Sequence, residues 1–164
     1  MTKFFCIFFF IFFDIFNILA QCPDELGLWR KIQSTSIQKE LLNLKNICRV
    51  CRIRDSTYTN LLKIIAENYV SEKDFSNASE TIKEAIQINS SSQSNIRKSY
   101  LVENYILLAN ILNEQGEYKK SLETFDLSIS LAMTFREKSS LAPKQYSKKA
   151  NILTKMGDFE QAIK

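Results

Sequence analysis

One skeleton appears three times in this chain, and that repetition constrains its fold more than any other feature. The clearest copy runs from Asn104 to Ile129, NYILLANILNEQGEYKKSLETFDLSI. Tyr105, Leu108, Ala109 and Leu112 fall three and four apart and form an apolar helical face. Gly116 breaks that helix, and Tyr118 opens a second one whose inner face is Tyr118, Ser121, Leu122, Phe125 and Ile129. Upstream the same order reads Leu62, Ile65, Ala66, Tyr69, then Phe75, Ala78, Ile82, Ala85 and Ile86; downstream it reads Tyr146, Ala150, Leu153, Gly157, Phe159 and Ala162. In each copy a small residue precedes the aromatic by nine positions and another follows it by three, and the copies are offset by 43 and then 41 residues. Self-similarity on that scale predicts a solenoid of stacked helical hairpins. The small residues let the two helices of a hairpin approach closely, and the aromatic fills the gap to the next hairpin. A single hairpin cannot bury its own apolar face, so neighbours share a continuous core.

The turns Gly116-Glu117-Tyr118…Ser121 and Gly157-Asp158-Phe159…Ala162 resemble those of tetratricopeptide repeats (TPRs), with Lys73-Asp74-Phe75…Ala78 as a copy lacking the glycine. The period exceeds the usual ~34 residues and is similar to the longer repeats of kinesin light chains. The fold expected is all-α: a TPR-like α-solenoid of antiparallel helix pairs behind an N-terminal helical cap. The expected divisions are 1–20, 21–58 and 59–164, with repeats at about 59–95, 102–136 and, incomplete, 143–164. Helices are expected over Thr59 to Ser71, Phe75 to Ile88, Ile96 to Glu114, Tyr118 to Arg136 and Lys144 to Lys155, with Asp55-Ser56-Thr57 capping the first. Pro143 suits a helix's first turn. The chain stops about a turn into the last helix, leaving Tyr146, Leu153, Phe159 and Ile163 without a covering element, so a longer parent protein is expected.

Residues 1–20 read as a secretory signal peptide. Lys3 precedes the ten-residue apolar run Phe4 to Phe13, and Ile18-Leu19-Ala20 offers a cleavage site. Asp14 interrupts the apolar stretch, which counts against a membrane span of ~20 residues. An uncleaved anchor is the alternative, and Leu19-Ala20-Gln21-Cys22 is similar to a lipoprotein box except at Gln21. Export to the periplasm, cell envelope or medium is the expectation. Beyond it, Leu28 to Ile47 reads as helix, in one or two pieces with a break near Ser34-Thr35-Ser36; Leu28, Trp29, Ile32, Ile37, Leu41, Leu44 and Ile47 form its buried face. Cys48 and Cys51 form a CxxC. Zinc normally needs four ligands, whereas the mature chain holds three cysteines and no histidine. The expected use is a disulfide from Cys22 to Cys48 or Cys51, with a reduced pair as the alternative. Lys45, Arg49, Arg52 and Arg54 make a small basic patch.

The absence of histidine removes Ser-His-Asp and Cys-His catalysis from this chain. A net charge of +4, with basic residues scattered, does not indicate nucleic acid. No cofactor or metal is expected. In TPR arrays the first helix of each repeat lines a concave groove that binds peptides. The resemblance implies that Asn60, Lys63, Glu67, Asn110, Asn113, Ser147 and Asn151 face it. Asn110 and Asn151 hold equivalent places, and a carboxamide there bonds an extended backbone through its donor and its acceptor. Carboxylate-clamping TPRs place a lysine four residues earlier; Lys63 fits, but Ile106 and Ser147 depart. Lys149, at a normally apolar position, is expected to snorkel. Cys22-Pro23, Trp29 and Asp55-Ser56-Thr57 prompt a looser resemblance to exported Bacteroidetes-type TPR proteins, in which a caspase-like CHAT domain sometimes follows the array. The functional expectation is a non-catalytic scaffold binding a protein or peptide. The alternative is the regulatory arm of a larger enzyme, whose catalytic residues would lie beyond Lys164.

Overall fold

A computed structural model describes residues 24–34, 38–51, 53, 55–91, 95–135 and 142–163, apart from a few side chains. The expected signal peptide, Cys22 and the packing of Trp29 lie outside the described part. Among the described residues there are eight helices and no strand: α1 (Glu25–Ser34), α2 (Gln38–Val50), α3 (Asp55–Ser71), α4 (Phe75–Ser90), α5 (Asn95–Glu114), α6 (Tyr118–Met133), α7 (Ala142–Lys155) and α8 (Phe159–Ile163). This is an all-α, TPR-like solenoid. Each helix packs on the next from α1 to α4 and onward to α8, and α3 also touches α5.

The three turns repeat closely. Lys73, Gly116 and Gly157 have φ of 61°, 77° and 80°, the left-handed conformation that ends helices. At each, the following N–H reaches back to a helix carbonyl: Asp74 to Tyr69 at 2.8 Å, Glu117 to Leu112 at 2.9 Å and Asp158 to Leu153 at 2.9 Å. Glycine takes this conformation without cost; Lys73 does so with a side chain. The residue after the turn begins the next helix. Asp74 accepts from the Asn77 N–H and Asp158 from the Gln161 N–H, both at 3.2 Å, each satisfying a donor left unpaired at a helix start. Glu117 makes no such side-chain bond.

The small residues sit where helices meet. Ala66, Ala78, Ala109 and Ser121 are fully buried. The Ser121 hydroxyl donates to the Ala109 carbonyl across the hairpin at 2.7 Å, a contact that only a close approach of the two backbones permits. Three clusters then link the stack. Leu28, Ile32, Leu41, Leu44 and Cys48 close over Leu61 and Ile65 of α3. Leu62, Ala66, Ala78, Ile82 and Ala85 of the first hairpin meet Leu108, Ile111 and Leu112 of α5, with Phe75 packed alongside. Ala109 and Phe125 meet Ile152 of α7, with Tyr118 alongside.

Several boundaries differ from expectation. α3 begins at Asp55, so Asp55, Ser56 and Thr57 are helical rather than a preceding cap. α4 runs to Ser90 and α6 stops at Met133. α7 starts at Ala142, which puts Pro143 in its first turn, where no intrahelical N–H bond is lost.

Candidate functional site

The first helices of the hairpins, α3, α5 and α7, carry two polar depressions. The larger lies between α5 and α7 and encloses about 380 Å³. Asn110 and Asn113 line it from α5; Lys144, Ser147, Lys148, Asn151 and Lys155 line it from α7; Phe125 and Ile152 form its floor. Spacings of three and four place the α7 residues on one stripe. Two bonds cross the gap. Lys148 Nζ donates to Asn110 Oδ1 at 2.5 Å, and Lys155 Nζ to Asn113 Oδ1 at 3.4 Å. The groove is strongly basic: three ammonium groups face Glu114, which is engaged by Asn113 Nδ2 at 3.0 Å. Burial, and then the charge of Lys144, push the Lys148 amine below the ordinary lysine value.

The smaller depression, about 40 Å³, lies where the starts of α3 and α5 meet the end of α4. Lys63 is neutralised there by Glu103 at 2.9 Å, with Glu67 more distant at 3.8 Å. Asn89 and Asn104 line its wall and are almost wholly buried.

The residues expected from the repeat alignment therefore divide between two places. Asn60 and Lys63 line the small depression. Asn110, Asn113, Ser147 and Asn151 line the large groove. Glu67 lines neither and is exposed beside Lys63. Lys63 sits at the clamp lysine's place in its repeat, but its charge is spent on Glu103. Sequence reasoning missed Lys144, Lys148 and Lys155. Their spacing on one helix face was a readable signal, since with Asn151 they form a lysine-rich stripe along α7. It also missed Glu103, Asn89 and Asn104, whose roles depend on contacts between hairpins.

Elsewhere, Lys149 keeps its stem largely covered and reaches Asp126 of α6 as an ion pair. Lys45 leaves the basic patch around Arg49 to bond Glu84 of α4 at 2.7 Å, and Tyr58 donates to the same carboxylate at 2.6 Å. Burial alone would raise the Glu84 carboxyl. The bonds from Lys45 and Tyr58 and the charges of Lys45 and Arg49 outweigh it, and the net shift is downward. Cys48 is a free thiol, buried in the α1–α3 core and pushed up to about 11 by that burial. It is therefore not the disulfide partner that the CxxC left open. Cys51 is disulfide-bonded. Among the described residues, no helix is long and apolar enough to cross a membrane, and no group of three or more His, Cys, Asp or Glu residues is arranged to hold a metal ion.

Comparison with known proteins agrees with this geometry. A family model described as tetratricopeptide repeat matches residues 102–132, which cover most of α5 and α6. The chain is similar in structure to BtubC (BKLC) from P. vanneervenii, with a TM-score of 0.56 and 18% sequence identity over 85% of this chain and 53% of that one. The chain thus spans about half the length of that solved structure, and the likeness is one of fold. No curated protein matches its sequence. The chain carries a tetratricopeptide repeat within a TPR-like helical stack.

Proposed function

We propose that this chain is a non-catalytic scaffold whose first-helix face binds a segment of another protein, and that the α5/α7 groove takes an acidic, extended stretch of it. TPR repeats generally mediate protein–protein interaction, and the observation that carries the finer reading is the composition of this groove. Asn151 presents a carboxamide able to pair with a peptide backbone, whereas the Asn110 oxygen is held by Lys148 and Asn113 is held by Lys155 and Glu114. Lys144, Lys148 and Lys155 present charge with almost no acidic counterweight. Lys148 is held at a cost, because it is partly desolvated beside another ammonium. A carboxylate entering between Lys144 and Lys148 relieves that cost and gains charge-assisted hydrogen bonds.

The test is a titration of a fluorescein-labelled Glu-rich dodecapeptide, followed by anisotropy. Lys148→Ala should weaken binding about tenfold, the equivalent of ~1.4 kcal/mol. Binding should also fall as salt is raised, because these charges are partly solvent-exposed. Equal affinity for a Lys-rich peptide, or no effect of Lys148→Ala, would overturn the reading.

Export is part of the same proposal. The signal-like segment at 1–20 suggests it, and the disulfide at Cys51 supports it, since such bonds persist mainly in oxidising compartments. Intact mass of the protein from its native host tests this. A chain starting at Gln21 with two cysteines protected until reduction is expected; an unprocessed Met1 chain with every thiol reactive once unfolded would refute it.

A further inference from the structure

The α5/α7 groove carries its charge in a fixed order along one helix, and that order has a spacing. Lys144, Lys148, Asn151 and Lys155 line the groove from a single stripe of α7. At about 1.5 Å of rise per residue, Lys144 and Lys148 stand about 6 Å apart along it, with Asn151 and Lys155 about 10.5 and 16.5 Å from Lys144. The three lysines are not equivalent. Lys155 reaches Asn113, which also bonds Glu114, so the carboxylate among the lining residues lies at that end. Lys144 and Lys148 form the uncompensated end. Lys148 Nζ is anchored on Asn110 Oδ1 at 2.5 Å. An ammonium carries three N–H donors, so that bond fixes its place and leaves two for a ligand. Burial and the neighbouring Lys144 already disfavour its charge.

The shape of the groove restricts how a partner can present its acids. An α-helix is about 10–12 Å across, and even half of one laid from Lys144 to Lys155 fills about 650–900 Å³. The groove encloses about 380 Å³. An extended segment is narrower, and its side chains alternate between two faces at about 3.3 Å per residue. Residues i and i+2 therefore point to the same side about 6.6 Å apart, which matches the step from Lys144 to Lys148. Residue i+1 turns to the open side. The backbone of residue i+3 falls about 10 Å from the first acid, level with Asn151, whose carboxamide supplies both a donor and an acceptor. We propose that Lys144 and Lys148 select a segment carrying two carboxylates two residues apart, Asp/Glu-x-Asp/Glu, with Asn151 pairing to the backbone just beyond. The inference rests on the groove reading above and adds a register to it: the spacing of the acids, and not their number alone, decides what binds.

The experiment uses the full chain with the fluorescein-labelled Glu-rich dodecapeptide bound, and displaces it with unlabelled Gly/Ser dodecapeptides that carry two Glu. The two are placed one, two, three or four residues apart at constant composition. The expected result is that the two-residue spacing competes about tenfold better than the others. Ala or Leu between the two Glu should change this by less than about twofold, because that side chain faces away from α7. Lys144→Ala should erase the preference, bringing the two-residue spacing down to the level of the rest. Lys155→Ala should weaken every peptide alike and leave the preference in place. Both lysines are exposed, and far-UV circular dichroism checks that each variant keeps its helices. Equal competition by all four spacings, or displacement by none of them at millimolar concentration, overturns the register while the bound Glu-rich peptide keeps the groove reading standing. A preference for the four-residue spacing overturns it in favour of a helical ligand. A preference for two residues that survives Lys144→Ala also overturns it. If the Glu-rich peptide itself does not bind, the groove reading fails and the register falls with it.

Discussion

The turn at Lys73 is the one place where the repeat departs from its own rule, and replacing it with glycine should stabilise the protein. Lys73 has φ 61°, in the region where a side chain costs roughly 1–2 kcal/mol relative to glycine. The lysine is exposed, so its removal forfeits no buried contact. Against the gain stands the extra freedom of glycine in the unfolded chain, about 0.4–1 kcal/mol. The net expectation for Lys73→Gly is a gain of about 0.5–1 kcal/mol. The mirror experiment is Gly116→Lys. A Cβ built at Gly116 meets nothing within 4 Å, so the loss there is conformational alone and should match the first gain in size. Urea denaturation read by far-UV circular dichroism measures both, as opposite shifts in midpoint at unchanged slope. In a thermal melt each shift should be about 1–4 °C for a chain of this length. A loss of stability in Lys73→Gly, or a cost above ~3 kcal/mol in Gly116→Lys, would refute the argument that backbone conformation alone sets the preference.

Ser121→Val removes the donor to the Ala109 carbonyl and adds bulk where two backbones touch, so it should cost about 2–3 kcal/mol in the same assay. Ser121→Ala, which only loses the bond, should cost about 1 kcal/mol. The Glu84 carboxyl lies below its ordinary value in the folded chain, so its contribution is present above the unfolded value of ~4.3 and is lost as pH falls through the folded one. Glu84→Gln should therefore cost about 1 kcal/mol at pH 7, discounted for its partial exposure, and should flatten the acid limb of a stability–pH curve. A limb as steep as that of the unaltered protein would assign acid sensitivity elsewhere. Cys48 should resist iodoacetamide in the native protein at pH 8 and react fully in 6 M guanidinium, because burial withholds both access and the thiolate. Rapid native labelling would show that the α1–α3 core opens readily.

The repeat was legible because its determinants are local. Gly116 and Gly157 mark turns by conformation, and Ala66, Ala109 and Ser121 mark close approach by size, so fold class followed from spacing. The face assigned to α5 was too narrow for a physical reason. That helix is covered on more than one side: Leu108, Ile111 and Leu112 meet the first hairpin while Ala109 meets Phe125 and α7. A helix buried on opposing sides loses the one-sided periodicity that betrays a surface helix. The start of α3 was misplaced because Asp, Ser and Thr suit a cap and a first turn about equally, and only the chain's path from α2 decides. Within the candidate site, the groove asparagines could be located by alignment to the repeat, but the state of each side chain could not. Lys63 looked available until Glu103, 40 residues away, was seen to hold it. Asn89 and Asn104 read as ordinary polar helix residues until tertiary packing buried them together.

The Glu84 carboxylate joins three helices at once, taking Lys45 from α2 and Tyr58 from α3. In a quasi-linear stack, where each unit holds only its neighbours, such a junction decides where the array comes apart. With the α1–α3 core behind it, this tie makes α2, α3 and α4 open together. By contrast, α7 is joined to the rest through Ile152, the Gln145–Ser128 hydrogen bond and a few lysine contacts. Pulled from both ends, the chain should unzip from α8 and α7 inward, leaving the α2–α4 block as the last segment to yield. The groove that depends on α7 would then be released first, so that tension along the chain would empty the α5/α7 site while the cavity beside Asn89 stayed assembled.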